Sequence, residues 1–340
     1  MKPKRKLLTP ILAGVLLLIA VLMVVLSRQS GPTFSPPALP ANNGYDQLLK
    51  AAKLIAPRTG FYDEMGEDEL ATIVEQNRPT LDLVREALEQ PISVPVDWSV
   101  EPGSAGALRL NSIQSLRSLG RAFAAEARQH MVDGKPSAAA YTALDCFQLG
   151  VKSGQGGLMI DYQVGLTIQY LSLESLKPAV LEDPALCSLV VRTLSELATK
   201  AESAESAIDR EKAYVESSLT GIKGWLYRDS MLLLLEPAYD STRLSGTQQL
   251  ARLRLFITHL AIRGHHQKHS KWPEFLEQVS TEVADSIPLD PFSKQPFVYR
   301  LTDDGYQLYS VGEDKTDNGG QTDENGMQPD FFFDLEPAKP

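Results

Sequence analysis

The sequence predicts a mainly α protein: an N-terminal transmembrane helix, an α-helical bundle or irregular α-solenoid-like array, and a small C-terminal antiparallel β-module. Three observations predict it. Residues 7–26, bounded by Leu7 and Leu26, carry no charge and are interrupted only by Thr9, Pro10 and Gly14. From Tyr45 to the neighbourhood of Glu282, apolar residues recur at helical spacing between short turn signals. After Pro288 the period drops to two and β-forming residues take over.

At a rise of about 1.5 Å per residue, a helix over 7–26 spans about 30 Å, the thickness of a bilayer's hydrocarbon core. Lys2, Lys4, Arg5 and Lys6 precede it and only Arg28 follows closely. The positive-inside rule then leaves the N-terminus in the cytoplasm and the rest on the exported side of the cytoplasmic (inner) membrane. Residues 25–29 offer no small-x-small cleavage site, so an uncleaved anchor is expected over a cleaved signal peptide. Residues 1–28 are thus basic flank and anchor. Residues 29–43, with Pro32, Pro36, Pro37 and Pro40, are a semi-rigid tether.

Residues 44–249 read as an exported helical domain. Tyr45, Leu48, Leu49, Ala52 and Ile55 predict its first helix, and Leu70, Ile73, Val74, Leu81, Val84 and Leu88 a second, closed by Pro91. Helices over 108–131 and 137–151 are separated by Asp133-Gly134, with Pro136 opening the later one. The next covers 158–176 and ends at Pro178. Asp183-Pro184 is an N-cap followed by proline at the first helical position, opening a helix that runs through Leu197 into the charged stretch 200–211. Short connections argue for antiparallel neighbours, and no tetratricopeptide period recurs. Residues 250–340 hold a last long helix over 250–266 and the β-module. There Phe297, Tyr299 and Leu301 alternate, then Tyr306, Leu308 and Ser310, around the hairpin signal Asp303-Asp304-Gly305.

The chain carries 33 Lys and Arg against 43 Asp and Glu. Beyond the N-terminal flank the balance is still more acidic, which excludes nucleic acid and anionic lipid surfaces as partners of the exported part. It suits divalent cations. Cys146 and Cys187 read as two buried thiols on separate helices, with a disulfide as the alternative outside the cytoplasm.

The tail loop supplies side-chain oxygens from Asp314, Asp317, Asn318, Asp323 and Asp330 among Gly312, Gly319, Gly320 and Gly326. Calcium takes six to eight such oxygens, but the spacing is not that of an EF-hand, and composition alone favours a solvated acidic turn, since Asp, Asn and Gly are generic turn residues. Three motifs add to this. His269-Ser270-Lys271-Trp272-Pro273-Glu274, Pro288-Leu289-Asp290-Pro291-Phe292 and Tyr306-Gln307-Leu308-Tyr309-Ser310-Val311-Gly312-Glu313-Asp314 follow one another in that order. Over about residues 250–335 the chain resembles the C-terminal module of type II secretion major pseudopilins. The resemblance implies a structural calcium site with Asp314, Asp317, Asn318 and Asp330 as ligands and the Val311 carbonyl beside them. The chain departs from that family in having no processing site before its apolar segment, and in the long stretch separating that segment from the matching region. Lys315 stands where a glycine is common. Polymerisation as a pseudopilus subunit is therefore not expected.

Other chemistry-bearing patterns have plainer readings. His265 and His269 stand four apart, but no general-base glutamate lies between them, so they read as the polar end of a helix. Glu202, Glu205, Asp209 and Glu211 read as a solvated helix face with i,i+4 pairs. Residues 153–157 are glycine-rich without the Gly-Lys-Ser/Thr end of a P-loop. The function expected is non-enzymatic: a membrane-anchored envelope scaffold that presents a surface to an unknown envelope protein, its tail stabilised by calcium. The alternatives are an accessory component of a type II secretion-like or pilus-like system, and an exported hydrolase whose site would gather His130, Tyr162 and several carboxylates in one pocket.

Overall fold

The computed structural model describes residues 38–56, 64–99, 102–219, 221–279, 287–303, 305–321 and 329–335, with side chains omitted for 102–108, 218 and 221–227. The fold is mainly helical. Helix α1 (Tyr45–Ala52) packs against α2 (Glu67–Leu88), followed by α3 (Pro102–Val132), α4 (Pro136–Ser153) and α5 (Met159–Glu182). A 3-10 turn (Pro184–Leu186) leads into α6 (Cys187–Thr199), then α7 (Ala204–Ser218) and α8 (Gly221–His269). Strands β1 (Val298–Thr302) and β2 (Gly305–Tyr309) pair antiparallel, Val298 opposite Tyr309 and Thr302 opposite Gly305.

Local signals explain most boundaries. Pro136 sits at the first position of α4, and Asp183 accepts the Ala185 N–H at 3.1 Å to open the turn before α6. Three boundaries differ from expectation: α3 opens at Pro102, well before the expected start at 108. Helix α5 continues past Pro178, because Leu173, Leu176, Ala179 and Val180 are fully buried and their packing outweighs one lost helical hydrogen bond. Helix α8 begins at Gly221 and runs through Pro237, so the expected division at 249/250 falls inside it.

The transmembrane, single-pass architecture is corrected by this fold: among the described residues no helix is long and apolar enough to cross a membrane. Helix α8 shows why length is not sufficient. Its 49 residues make it about 70 Å long, yet Arg228, Asp229, Glu236, Asp240 and Arg243 interrupt its apolar residues. The run at 7–26 and the tether residues 29–37 lie outside the described residues.

Two apolar clusters hold the array together. One joins α1–α5 through Leu48, Leu81, Leu116, Phe123, Leu149 and Ile168. The other joins α4, α5, α6 and α8 to the tail through Phe147, Leu176, Val190, Phe256, Phe297 and Phe333. Helices α4 and α5 approach backbone to backbone: a Cβ on Gly165 would lie 2.6 Å from the Gly150 carbonyl, so this pair requires glycine. Cys146 and Cys187 are free and buried, one in each cluster.

The tail is therefore not an appended module. Phe333 packs edge-on against Phe256 with ring centres 6.0 Å apart, and the Lys177 ammonium lies 3.9 Å above its ring. Arg254 donates to the Leu289 carbonyl at 2.7 Å. His259 of α8 meets the Tyr306 hydroxyl at 2.9 Å through Nδ1. Burial, with Lys177 and Arg263 nearby, pulls the His259 pKa down to about 3, so the ring is neutral in the folded protein.

Candidate functional site

The tail loop is organised by a residue outside the expected ligand set. Asp290 is 1% exposed and its carboxylate accepts four hydrogen bonds. The Phe292 N–H (2.9 Å) and Ser310 hydroxyl (2.9 Å) reach Oδ1; the Ser293 hydroxyl (3.2 Å) and Val311 N–H (3.2 Å) reach Oδ2. It ties the turn after 287 to the end of β2, where Ser310 also bridges Phe331.

The expected ligands lie just beyond. Asn318 donates its side-chain amide to Asp314 at 2.8 Å and its backbone N–H to buried Asp330 at 3.3 Å. Asp330 also accepts the Gly320 N–H at 2.7 Å. Asp314, Asn318 and Asp330 thus sit around one turn. Asp317 faces another way, onto the Tyr309 hydroxyl (2.8 Å), the Gly319 N–H (2.9 Å) and Arg300 (2.6 Å). These contacts, that of Tyr309 foremost, hold its pKa below the usual carboxylate range. Lys315 has φ 59°, a left-handed conformation that explains why glycine suits this position. Among the described residues no group of three acidic, His or Cys side chains forms a metal cluster; Asp323 and Gly326 lie outside them. His265 and His269 lie tilted against each other with ring centres 4.4 Å apart, and His266 stacks on Trp272 at 3.9 Å.

A second polar centre surrounds the α4–α5 loop. Asp161 accepts the Leu158 N–H at 2.8 Å and pairs with Arg109 at 3.1 Å. Glu211 accepts the Met159 N–H at 3.1 Å. Glu202 accepts the Gly156 N–H at 3.0 Å and pairs with Arg210, which itself donates to the Gly157 carbonyl at 2.7 Å. Burial raises the pKa values of Asp161 and Glu211, against the pull of Arg109 and the N–H donors. Two residues of the charged stretch read as a solvated face belong instead to a clamp: Glu211, with Asp161, holds the Met159 and Leu158 N–H groups that open α5, where the helix dipole favours negative charge, and Glu202 holds an N–H of the loop before it. Only Glu205, paired with Arg243 at 2.8 Å, and exposed Asp209 keep the surface character expected.

Tyr162 and His130 do not meet. Tyr162 lines a cavity with Glu202 and Glu205 between α5, α7 and α8, whereas His130 sits near the C-terminal end of α3. Burial beside Glu202 pushes the Tyr162 pKa up to about 12.

The third feature is the outer face of α8. Helices α7 and α8 form an antiparallel hairpin pinned by Arg228–Glu216 (2.7 Å) and Arg243–Glu205 (2.8 Å). Leu232 and Leu235 are half-buried and Tyr239 is fully buried. Leu233 and Leu234 are 72% and 74% exposed, and Met231 is exposed beside them. Met231, Leu234 and Ala238 make one stripe at helical spacing, while Asp229, Glu236 and Asp240 lie beyond Leu233, on the far edge of the exposed face. A helix apolar on both faces is normally covered on both.

A scan against family models finds none that matches, and searches of curated proteins and of solved structures return no match.

Proposed function

We propose that the protein is a non-enzymatic scaffold whose helical array presents a docking face to another protein. The observation that carries this reading is the exposed Leu233–Leu234 pair on α8. The acidic edge at Asp229, Glu236 and Asp240, beside Leu233, specifies the occupant: a partner helix with an apolar stripe bordered on one side by Lys or Arg. Such helix-in-groove or helix-on-helix docking takes its affinity from the apolar anchors and its orientation from the charges.

A photo-crosslinking residue at position 234 of the full chain, in its own cells, is expected to give one dominant adduct with a partner of that pattern. L233E/L234E is expected to abolish the adduct made from a crosslinker at Met231 while changing stability by less than about 0.5 kcal/mol, because both side chains already face water. No adduct, or an adduct only with a second copy of the chain, overturns the reading. A secretion-machine component as the captured partner is the form of it that the pseudopilin resemblance supports.

Calcium belongs to the same proposal as a clip on the tail. Asp314 and Asn318, with Asp330 packed against the same turn, would hold it with the Val311 carbonyl, and Asp317 would join on leaving Tyr309 and Arg300. Calcium is expected to raise the melting temperature by several degrees over a chelator control, and D314N/D330N to lose that difference. A wild-type melt identical with and without calcium removes this part.

A further inference from the structure

We propose that the cavity between the N-terminal end of α5, α7 and the middle of α8 is a binding site for a small organic primary amine, held through its ammonium group. Its volume is about 490 Å³, within the range that small-molecule sites occupy. Leu158, Ile160, Tyr214 and Ala238 supply apolar wall, and Glu211 is the only carboxylate lining it among the described residues.

The feature that points to a ligand is the open half of Glu211. Its Oε2 accepts the Met159 N–H at 3.1 Å, which anchors the side chain. Its other oxygen, Oε1, has no hydrogen-bond partner among the described residues, and it is not sealed from solvent. The carboxylate is thus held on one side and presents an acceptor to the cavity on the other. Such an acceptor is completed by water or by a donor on whatever enters.

The local charge selects a cation. Arg109 pairs with Asp161 at 3.1 Å and donates to the Pro95 carbonyl at 3.4 Å, so its charge goes to the more deeply buried carboxylate. Arg210 is paired with Glu202, and Arg243 with Glu205 and Asp240. Asp161 and Glu211 therefore face one guanidinium and the roughly half positive charge of the α5 N-terminus, which leaves the site negative. In keeping with this, burial foremost and Asp161 after it raise the Glu211 pKa, against the Met159 N–H and Arg109.

The wall contributed by α8 offers acceptors as well. Ser245 donates its hydroxyl hydrogen to the Ser241 carbonyl at 2.8 Å, and Thr242 donates to the Ala238 carbonyl at 2.9 Å. Both hydrogens are spent inside the helix, and the oxygens keep their lone pairs. Gln163 approaches Thr242 through Nε2 at 3.5 Å, and its amide oxygen has no partner among the described residues. A primary ammonium brings three donors and no acceptor to such a wall, an alcohol one donor, and a carboxylate none.

Benzylamine, benzyl alcohol and benzoate test this, because they share a ring and a short arm and differ in charge and donors. Ligand-observed NMR on the full chain is expected to show benzylamine binding at least about fivefold tighter than benzyl alcohol, the gain of a charge-assisted hydrogen bond over a neutral one. Benzoate is expected not to bind. E211Q keeps the size of the side chain and removes its charge, so it is expected to abolish the preference; attraction of an amine to the acidic surface as a whole would survive it. S245F leaves Glu211 in place and fills the cavity from α8. It is expected to abolish benzylamine binding, and it serves the test if E211Q folds poorly. Absence of benzylamine binding, equal binding of benzylamine and benzyl alcohol, a preference that survives E211Q, or binding that survives S245F overturns the proposal.

Discussion

Asp290→Ala is expected to cost about 3–5 kcal/mol and to release the tail from α8 before the helices unfold. The magnitude follows from what the carboxylate holds. Four donors converge on it in a site from which water is excluded. Bonds to a charged acceptor are worth about 1.5–3 kcal/mol each, and buried N–H groups left without an acceptor cost about 1–3 kcal/mol. Alanine removes every acceptor at once and strands the Phe292 and Val311 N–H groups. Asp290→Asn keeps one acceptor oxygen but turns an NH2 towards two of the donors, so it is expected to fall between wild type and alanine. Urea melts give the totals. Amide exchange gives the order: Ser310, Val311 and Phe331 lose protection while α4 and α5 retain theirs. Dye binding to the uncovered Phe256 and Leu260 face reports the same event. A D290A protein within about 1 kcal/mol of wild type, or one that opens uniformly, contradicts the role assigned to this residue.

Asp290 also marks where sequence reasoning stops. Its contact to the Phe292 N–H is local, two residues on, and the turn was legible from Asp290-Pro291. Its contacts to Ser310 and Val311 span some twenty positions and depend on how the hairpin docks. The same division runs through the chain. Pro136, Asp183-Pro184 and Asp303-Asp304-Gly305 act on their own neighbours, and the helices and hairpin they delimit were readable from them. The first half of α8 was not. Residues 231–235 are apolar on every side and so carry no period, and Pro237 interrupts the pattern although it sits inside the helix at an exposed position. Glu202 and Glu211 looked like surface charges because their partners, Gly156 and Met159, are backbone groups 46 and 52 residues away. No pattern along the chain announces such a pairing.

Arg109→Met is expected to destabilise the protein by about 3–5 kcal/mol at neutral pH, and by much less in mild acid. Breaking a buried pair by removing one partner leaves the other charge uncompensated, which is the costly case. Asp161 is 2% exposed and stands near Glu211. Even with Arg109 present, burial lifts the Asp161 pKa above that of an ordinary aspartate. Methionine fills the space of the arginine stem but supplies no charge, so the pKa rises further. The sign of the pH dependence follows. A carboxyl whose folded pKa exceeds its unfolded pKa takes up its proton first in the folded state, so stability is lost as pH rises through the folded value and regained on acidification. The difference between variant and wild type should therefore shrink steadily as pH falls from 7 towards the ordinary aspartate range near 4. R109M/D161N removes both charges while leaving an amide oxygen that can still accept the Leu158 N–H, and it is expected to recover most of the loss at neutral pH. Urea melts of the three variants and wild type at several pH values test the whole argument. A deficit in R109M that is independent of pH would make Arg109 a packing residue, and a double variant no better than R109M would show that the clamp on α5 needs the Asp161 charge itself.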